Sequence, residues 1–271
     1  MRCALRTTSA SRLRGFVTDF SLKKQIVKWA KEKADAVRFA GVDRFAGAPA
    51  NHHPSLICEK AQTVIVLGRA IPRGAFRSPE YCLYVSQRSY HTQYSRLDEL
   101  ALDLANIIES EGYIAVPVPS YAPVVYCAEE PWGILSLKHA AVLAGMGSLA
   151  RNQLFYHLQY GSRLRLSAVV TNAKLPEDPI LEDKCPETCN ACLAACPTGA
   201  FDSGSFDKAA CLRYTIRHAI YPLALCDEKG RKNIETIFNT AGYNAWIKCY
   251  ECQKVCPRND SKTAQDLPIR R

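Results

Sequence analysis

What this chain lacks narrows its class before any motif is read. No apolar run among its 271 residues approaches the ~20 that a membrane-spanning helix needs. Its N-terminal segment shows no apolar signal-peptide core and no twin-arginine pair, so the expected location is cytoplasmic, with no membrane partner. Internal repeats are missing apart from two cysteine runs. Acidic residues are absent from the opening MRCALRTTSASRLRG, and through residue 40 ten Lys or Arg face only Asp19, Glu32 and Asp35. The formal charge of +9 is therefore largely N-terminal. That Arg- and Ser-rich opening has the composition of an organelle-targeting segment, but equally of a solvated tail or an over-extended start, and residues 1–20 are read as a basic tail. The remainder, 48% hydrophobic overall with a mean hydropathy of -0.15, has the make-up of a globular chain long enough to bury a core.

Cysteine is what the chain has in excess: thirteen residues, too clustered for a secreted disulfide framework. The first run is Cys185-x3-Cys189-x2-Cys192-x3-Cys196-Pro197, the second Cys249-x2-Cys252-x3-Cys256-Pro257, and Cys211 stands between them. Three thiolates spaced two or three residues apart can grip three irons of a cubane, while a fourth, followed by proline, serves another cluster. Applied here, that swap assigns Cys185, Cys189, Cys192 and Cys256 to one 4Fe-4S cluster, and Cys196, Cys211, Cys249 and Cys252 to a second. Structural zinc gives no reason for the closing Cys-Pro of each run. Cys3, Cys58, Cys82, Cys127 and Cys226 read as inert core thiols. Two cubanes imply one-electron transfer, and the spacing fixes that role but not its direction.

Upstream, periodicity predicts a helix over FSLKKQIVKWAKEKADAVRFAG, stopped at Gly41, and a buried strand over Ala61 to Ile71. A helix is expected from Leu97 to Glu111, a strand from Tyr113 to Pro119, a helix from Ser136 to Ser148 and a strand from Arg163 to Ala173. Helix followed by strand suggests an α/β layer. The proline-punctuated Lys174 to Lys184 marks a junction, giving domains over 21–175 and 176–271. His52, His53 and the aromatic stretch Arg88 to Tyr94 are candidates for lining a cofactor, with a loop or a surface pair as the plainer reading.

SLKHAAVLAGMGSLARN (Ser136 to Asn152), RLRLSAVVTNA, the first cysteine run, DKAACLRY and KCYECQKVCP, taken in that order, resemble the epoxyqueuosine reductases and the related reductive dehalogenases. The resemblance runs from about Ala61 to Asp260. It implies an α/β (α+β), nitroreductase-like cobalamin-binding domain followed by a two-cluster, bacterial ferredoxin-like module that reduces the corrinoid, and with it a low-potential electron donor of ferredoxin or flavodoxin type. A flavin is the alternative occupant, since nitroreductase-like folds commonly hold one. On the family pattern Gly145, Gly147, Ala150, Arg151 and Asn152 lie along the corrin or its tail, with Leu212 and Tyr250 on the cluster side. From the residues alone, Gly145-x-Gly147 equally well just ends a helix.

The chain departs from the family in four places. Arg151 stands where the family has lysine, and the first cysteine spacing carries one extra residue. The family's proton-donating aspartate aligns with Pro131, which leaves Glu129 and Glu130 as substitutes. The C-terminal helical-repeat extension that bacterial members use near tRNA is not in this sequence. The leading expectation is accordingly a corrinoid-dependent iron-sulfur reductase of unknown substrate. Epoxyqueuosine reduction on tRNA is the second reading, and a non-enzymatic partner that reactivates another corrinoid protein the third. A homodimer paired through the face the extension would cover is part of the same analogy.

Overall fold

The computed structural model describes residues 18–121, 124–127, 130–181, 185–217, 246–247 and 249–259. Its centre is a four-stranded sheet of β1 (Ala36–Gly41), β2 (Thr63–Ala70), β8 (Leu164–Thr171) and β3 (Ala115–Val118), in the order β1-β2-β8-β3. Every pairing in it is antiparallel. This corrects the expectation of an α/β layer: helices and strands alternate along the chain, yet the strands do not run parallel, and the class is α+β. β2 and β8 are central and buried on both faces, which is why they read as nearly continuous apolar runs.

The two faces take alternate residues of the pleat. Ile65 and Leu67 of β2 and Val169 of β8 pack under α1 (Phe20–Lys31) and α2 (Cys82–Ser110), against Leu22, Ile26, Leu97, Leu104 and Ile108. Val64 and Val66, with Leu164, Leu166, Ala168 and Val170, face α3 (Leu137–Leu143) and Met146. Gly68 leaves room for the Leu164 side chain.

Two boundaries differ from the sequence reading. α1, started by Asp19, whose carboxylate accepts from the Leu22 amide at 2.8 Å, ends at Lys31 instead of continuing to Gly41. Residues 36–41 form β1, because Phe39 and Ala40 are buried on opposite faces once paired with β2, an alternation that a helix would not preserve. α2 begins fifteen residues before Leu97, at Cys82, so the stretch Arg88 to Tyr94 is helix, not loop. The remaining predicted elements shorten at their ends to β2, β3, α3 and β8.

Beyond β8, residues 174–181 run back over the first unit. Asp178 receives the Phe39 amide at 2.9 Å and the Lys23 ammonium at 2.7 Å, and Arg44 pairs with Glu177 while donating to the carbonyls of Leu143 and Asp178. Gly145, at φ +70°, ends α3 where the Pro179 carbonyl occupies the space of a Cβ, so the position excludes any other residue. The cysteine-bearing unit holds only short elements: α4 (Ala191–Ala194), α5 (Lys208–Thr215), the antiparallel pair β9 (Ile216–Arg217) and β10 (Trp246–Ile247), and α6 (Glu251–Lys254). Among the described residues no helix is long and apolar enough to cross a membrane.

Leu104→Ala, in the fully buried α2 stripe, is expected to cost about 2–5 kcal/mol, read as a lowered denaturant midpoint with an unchanged slope.

Candidate functional site

Each cysteine run folds as a turn, one short helix and an exit. In the first, the Cys189 amide bonds back to Pro186, Cys192 lies within α4, and the Cys196 amide closes on Leu193. In the second, Tyr250 starts α6, Cys252 lies in it, and Pro257 opens a single helical turn after Cys256. A four-residue helix has little stability of its own, so these loops depend on tertiary contacts and on whatever the thiols bind. α4 and α6 pack side by side.

The thiols fall into two interacting groups, which meet where Cys192 of one lies near enough to raise Cys252 of the other. Burial pushes the Cys192 thiol up, and the nearby charges of Cys185, Cys256 and Cys189 add to it; Cys256 is likewise raised by burial and by Cys185 and Cys189, against N–H donors of Arg258 and Asn259. Cys211 is raised by burial and by Cys196 and Cys249, while Cys252 is pushed up to about 12 by burial and Cys249, partly offset by the Asn152 side chain. At Cys196 burial acts upward, but the Thr198 hydroxyl and the amides of Thr198, Ala200 and Gly199 outweigh it and draw the thiol down. Among the described residues no three His, Cys, Asp or Glu side chains converge as they would on a single ion. Four half-buried thiolates in one place repel unless positive charge sits among them, and the N–H donors at Cys196, Cys249 and Cys256 suit sulfur carrying negative charge. The donor sets therefore suit iron-sulfur clusters.

Between this unit and the sheet lies a solvent-open cleft of about 1580 Å³. Cys196, Cys211, Cys249 and Cys252 line it, and the other four cysteines of the two runs do not. Its opposite wall comes from Tyr90 and Tyr94 of α2, Tyr121, Leu137, Asn152, Phe155 and Arg165. Tyr90 packs on Tyr250 at 5.3 Å and on Tyr94 at 5.8 Å between ring centroids, and Tyr94 on Tyr121 at 5.4 Å. The Arg165 guanidinium lies 4.6 Å over the Tyr90 ring. The Arg165 guanidinium, raised further above its already high ordinary value, stays protonated, so the wall carries a permanent cation. Burial raises the Tyr90 hydroxyl to about 12 and also raises Tyr121 and Tyr250, which therefore stay neutral at ordinary pH. An adjoining cleft of about 1260 Å³ shares Ser120, Tyr121, Lys138, Phe206 and Lys208 with the first, and adds Trp132 and His139. The Lys208 ammonium lies 4.4 Å over the Trp132 ring. Burial and the Lys138 charge lower His139, which is held to Ser136 at 2.6 Å.

Residues 184–259 match the 4Fe-4S double cluster binding domain. An epoxyqueuosine reductase of Lactococcus garvieae is 30% identical over 217 residues, spanning 76% of this chain and 54% of that protein. The chain is a relative of the epoxyqueuosine reductases. It spans about half the length of the curated epoxyqueuosine reductases that it matches over most of its own length. In fold it is similar to a crystallised epoxyqueuosine reductase bound to an epoxyqueuosine-modified tRNA stem loop, with a TM-score of 0.57 and 23% identity over 89% of this chain and 66% of that one. A reductive dehalogenase, described in terms of B12-dependent dehalogenation, shares the fold at TM-score 0.54 and 17% identity over 86% of this chain and 31% of its own.

The residues expected from the epoxyqueuosine reductase pattern divide by position. Asn152, Leu212 and Tyr250 line the cleft. Gly145 and Gly147 do not: they pack against Pro179 and against Phe155 and Tyr156, where close backbone approach excludes a Cβ. Ala150 and Arg151 also lie outside both linings, and Arg151 reaches instead to the first cysteine loop. Glu129 falls outside the described residues, as do Cys3 and Cys226; Glu130 opens β5 (Glu130–Gly133), which pairs with β4 (Val124–Cys127). His52 is buried, bonds the Gly133 carbonyl at 2.8 Å and lies outside both linings, and Cys58 and Cys82 are buried.

The stretch Arg88 to Tyr94, a candidate cofactor lining in the sequence, does bring Tyr90 and Tyr94 to the cleft, as helix and not as loop, whereas Arg165, Lys138 and Lys208 were not anticipated as wall residues. For the tyrosines a signal existed, since Tyr90 and Tyr94 continue the buried stripe of Leu97, Ala101 and Leu104 at helical spacing. Nothing local marks the other three.

The cysteine unit is docked by side-chain amides. Asn259 accepts from the Ser162 amide at 2.8 Å and donates to the Gln253 carbonyl at 2.7 Å and the Ser162 hydroxyl at 2.9 Å; Gln253 bonds the Ser162 carbonyl at 3.0 Å and accepts from the Tyr90 hydroxyl at 2.5 Å. Asn259→Ala strands buried partners at about 1–3 kcal/mol each. Hydrogen exchange is expected to show faster opening of residues 249–259 in this variant, with the β2 and β8 amides still protected.

Proposed function

We propose that the protein is a corrinoid-dependent iron-sulfur reductase of the epoxyqueuosine reductase type, acting on tRNA. The observation that carries this is the position of Cys196, Cys211, Cys249 and Cys252, a cluster's worth of thiols forming one wall of a cleft between the two units. In this reading residues 21–175 are a nitroreductase-like corrinoid-binding domain and 176–271 a double 4Fe-4S ferredoxin-like domain. Cys185, Cys189, Cys192 and Cys256 hold the outer cluster, reached by a low-potential donor protein, and Cys196, Cys211, Cys249 and Cys252 the inner one. Support for tRNA comes from the epoxyqueuosine-modified tRNA stem loop bound by one structural neighbour, an epoxyqueuosine reductase as the curated relatives are named.

The cleft suits a large planar group. Its aromatic and aliphatic walls surround a few polar groups, the make-up of a site for a largely apolar ligand. Tyr94, Tyr121, Leu137, Asn152, Leu212 and Tyr250 would hold the corrinoid, which when bound supplies a strongly nucleophilic, strongly reducing centre. The chain's own part is to exclude water with its tyrosines and to keep the Arg165 charge in the wall across from the inner thiols. Lys138 and Lys208 present cations along the adjoining cleft, where phosphate could be met. Proton donation falls to Glu129 or Glu130.

Anaerobically purified protein should contain about eight irons and take up cobalamin with the absorption change of base-off binding; zinc in place of iron, a flavin in place of cobalamin, or no uptake would refute the reading. Cys211→Ala should lower iron to about half while the outer cluster survives, and an unchanged iron content would show that the ligand sets are wrong. With epoxyqueuosine-containing tRNA as substrate, Glu129→Gln or Glu130→Gln should slow turnover by roughly 10²–10⁴-fold at constant iron and cobalamin content. Turnover unaffected by either change would remove both glutamates as the proton source.

A further inference from the structure

Two of the departures from the family pattern lie apart in sequence and together in space. Arg151 sits in the turn between β6 (Ser148–Leu149) and β7 (Phe155–Tyr156), and the extra residue lies between Cys185 and Cys189. One terminal nitrogen of the Arg151 guanidinium donates to the Cys189 carbonyl at 3.1 Å, and also to the Glu187 carbonyl and the Asn190 side-chain oxygen.

The loop needs such a partner. Pro186 has no amide hydrogen, and among the described residues the one backbone bond within the loop runs from the Cys189 amide to the Pro186 carbonyl. Pro186, Glu187 and Thr188 are exposed, so no core contact holds them. Asn190 immediately precedes α4, the four-residue helix that carries Cys192. The placement of Cys189 and Cys192 therefore depends on what anchors residues 187–190. All three acceptors surround one terminal nitrogen, which a guanidinium carries farther from the backbone and in a more fixed plane than the ammonium of lysine on its flexible stem.

We infer that Arg151 is the positioning residue for the outer-cluster loop, and that the arginine and the extra loop residue are a matched pair. Arg151 holds the carbonyls that the longer Cys185–Cys189 spacing presents. It also places a fixed positive charge on the peptide of a ligand, which favours the more negative, reduced state of the outer cluster. The inference rests on the iron-sulfur reading of these thiols.

The test uses the full chain purified anaerobically: wild type, Arg151→Lys, Arg151→Gln, a Thr188 deletion that restores a two-residue spacing, and Arg151→Lys combined with that deletion. Iron release to a chelator and midpoint potentials from spin-monitored redox titration are measured for each. Arg151→Lys and Arg151→Gln should release half of their iron about tenfold faster than wild type. Arg151→Gln should also move one midpoint negative and leave the other in place. In the double variant release should return toward the wild-type rate, a non-additive result. Wild-type release and wild-type midpoints in Arg151→Gln would overturn the inference, as would strictly additive effects of the lysine and the deletion. If the deletion variants do not fold, the two point variants decide by the same release rates and midpoints. A wild-type chain that holds no iron would overturn the iron-sulfur reading itself, whereas two clusters indifferent to residue 151 would overturn only the inference.

Discussion

Burial of closely grouped thiols, with their mutual repulsion added to it, is the constraint on which the rest of this structure turns. Cys192 and Cys256 are raised by each other's group, and Cys211 and Cys252 by theirs, with burial the largest cause at all four. Without positive charge between them such thiols resist ionising together, so the short helices α4 and α6 gain their reason to exist from what the sulfurs bind. Binding a cluster would then also order loops that have almost no apolar core of their own. Backbone donors at Cys196 and Cys256 act in the same direction, favouring sulfur that carries charge.

The sheet domain supplies what the cysteine unit cannot, a rigid and largely apolar wall. α2 lies across the sheet through Leu97, Leu104 and Ile108, and that packing carries its first half, with Tyr90 and Tyr94, out to the cleft. Asn259 and Gln253 then tie the second cysteine run to the turn after β7, so Tyr250 meets Tyr90 at a defined angle. Cleft, inner thiols and aromatic wall are in this way parts of one docking arrangement. Arg165, kept charged among tyrosines, is its electrostatic centre.

How much of this could be read in advance depended on how local each feature is. The buried runs of β2 and β8 announced themselves because a strand covered on both faces needs apolar residues at nearly every position. Residues 36–41 did not, since Val37 extends the helical spacing of α1 while strand pairing with β2 overrides it. The antiparallel order was equally hidden, because alternation of helix and strand along a chain does not encode strand direction. At the site, Gly145 and Gly147 were expected beside a cofactor from their motif. Their neighbours in the fold are instead the Pro179 carbonyl and the Phe155–Tyr156 strand, a requirement of close packing.

The order and spacing of the cysteines are a property of the sequence by itself. Ligands two or three residues apart occupy one turn in almost any fold, so Cys185 to Cys196 and Cys249 to Cys256 declare their chemistry without coordinates. Which four thiols face the cleft, and what stands across from them, was decided only by the tertiary structure. Tyr90, Tyr121, Lys138, Asn152, Arg165 and Tyr250 come from six separate segments that nothing but the packing of sheet, helix and docked loop brings to one surface. Arg151 makes the same point in a single side chain. Its sequence neighbours place it beside a glycine motif, and the long reach of a guanidinium places it on the cysteine loop.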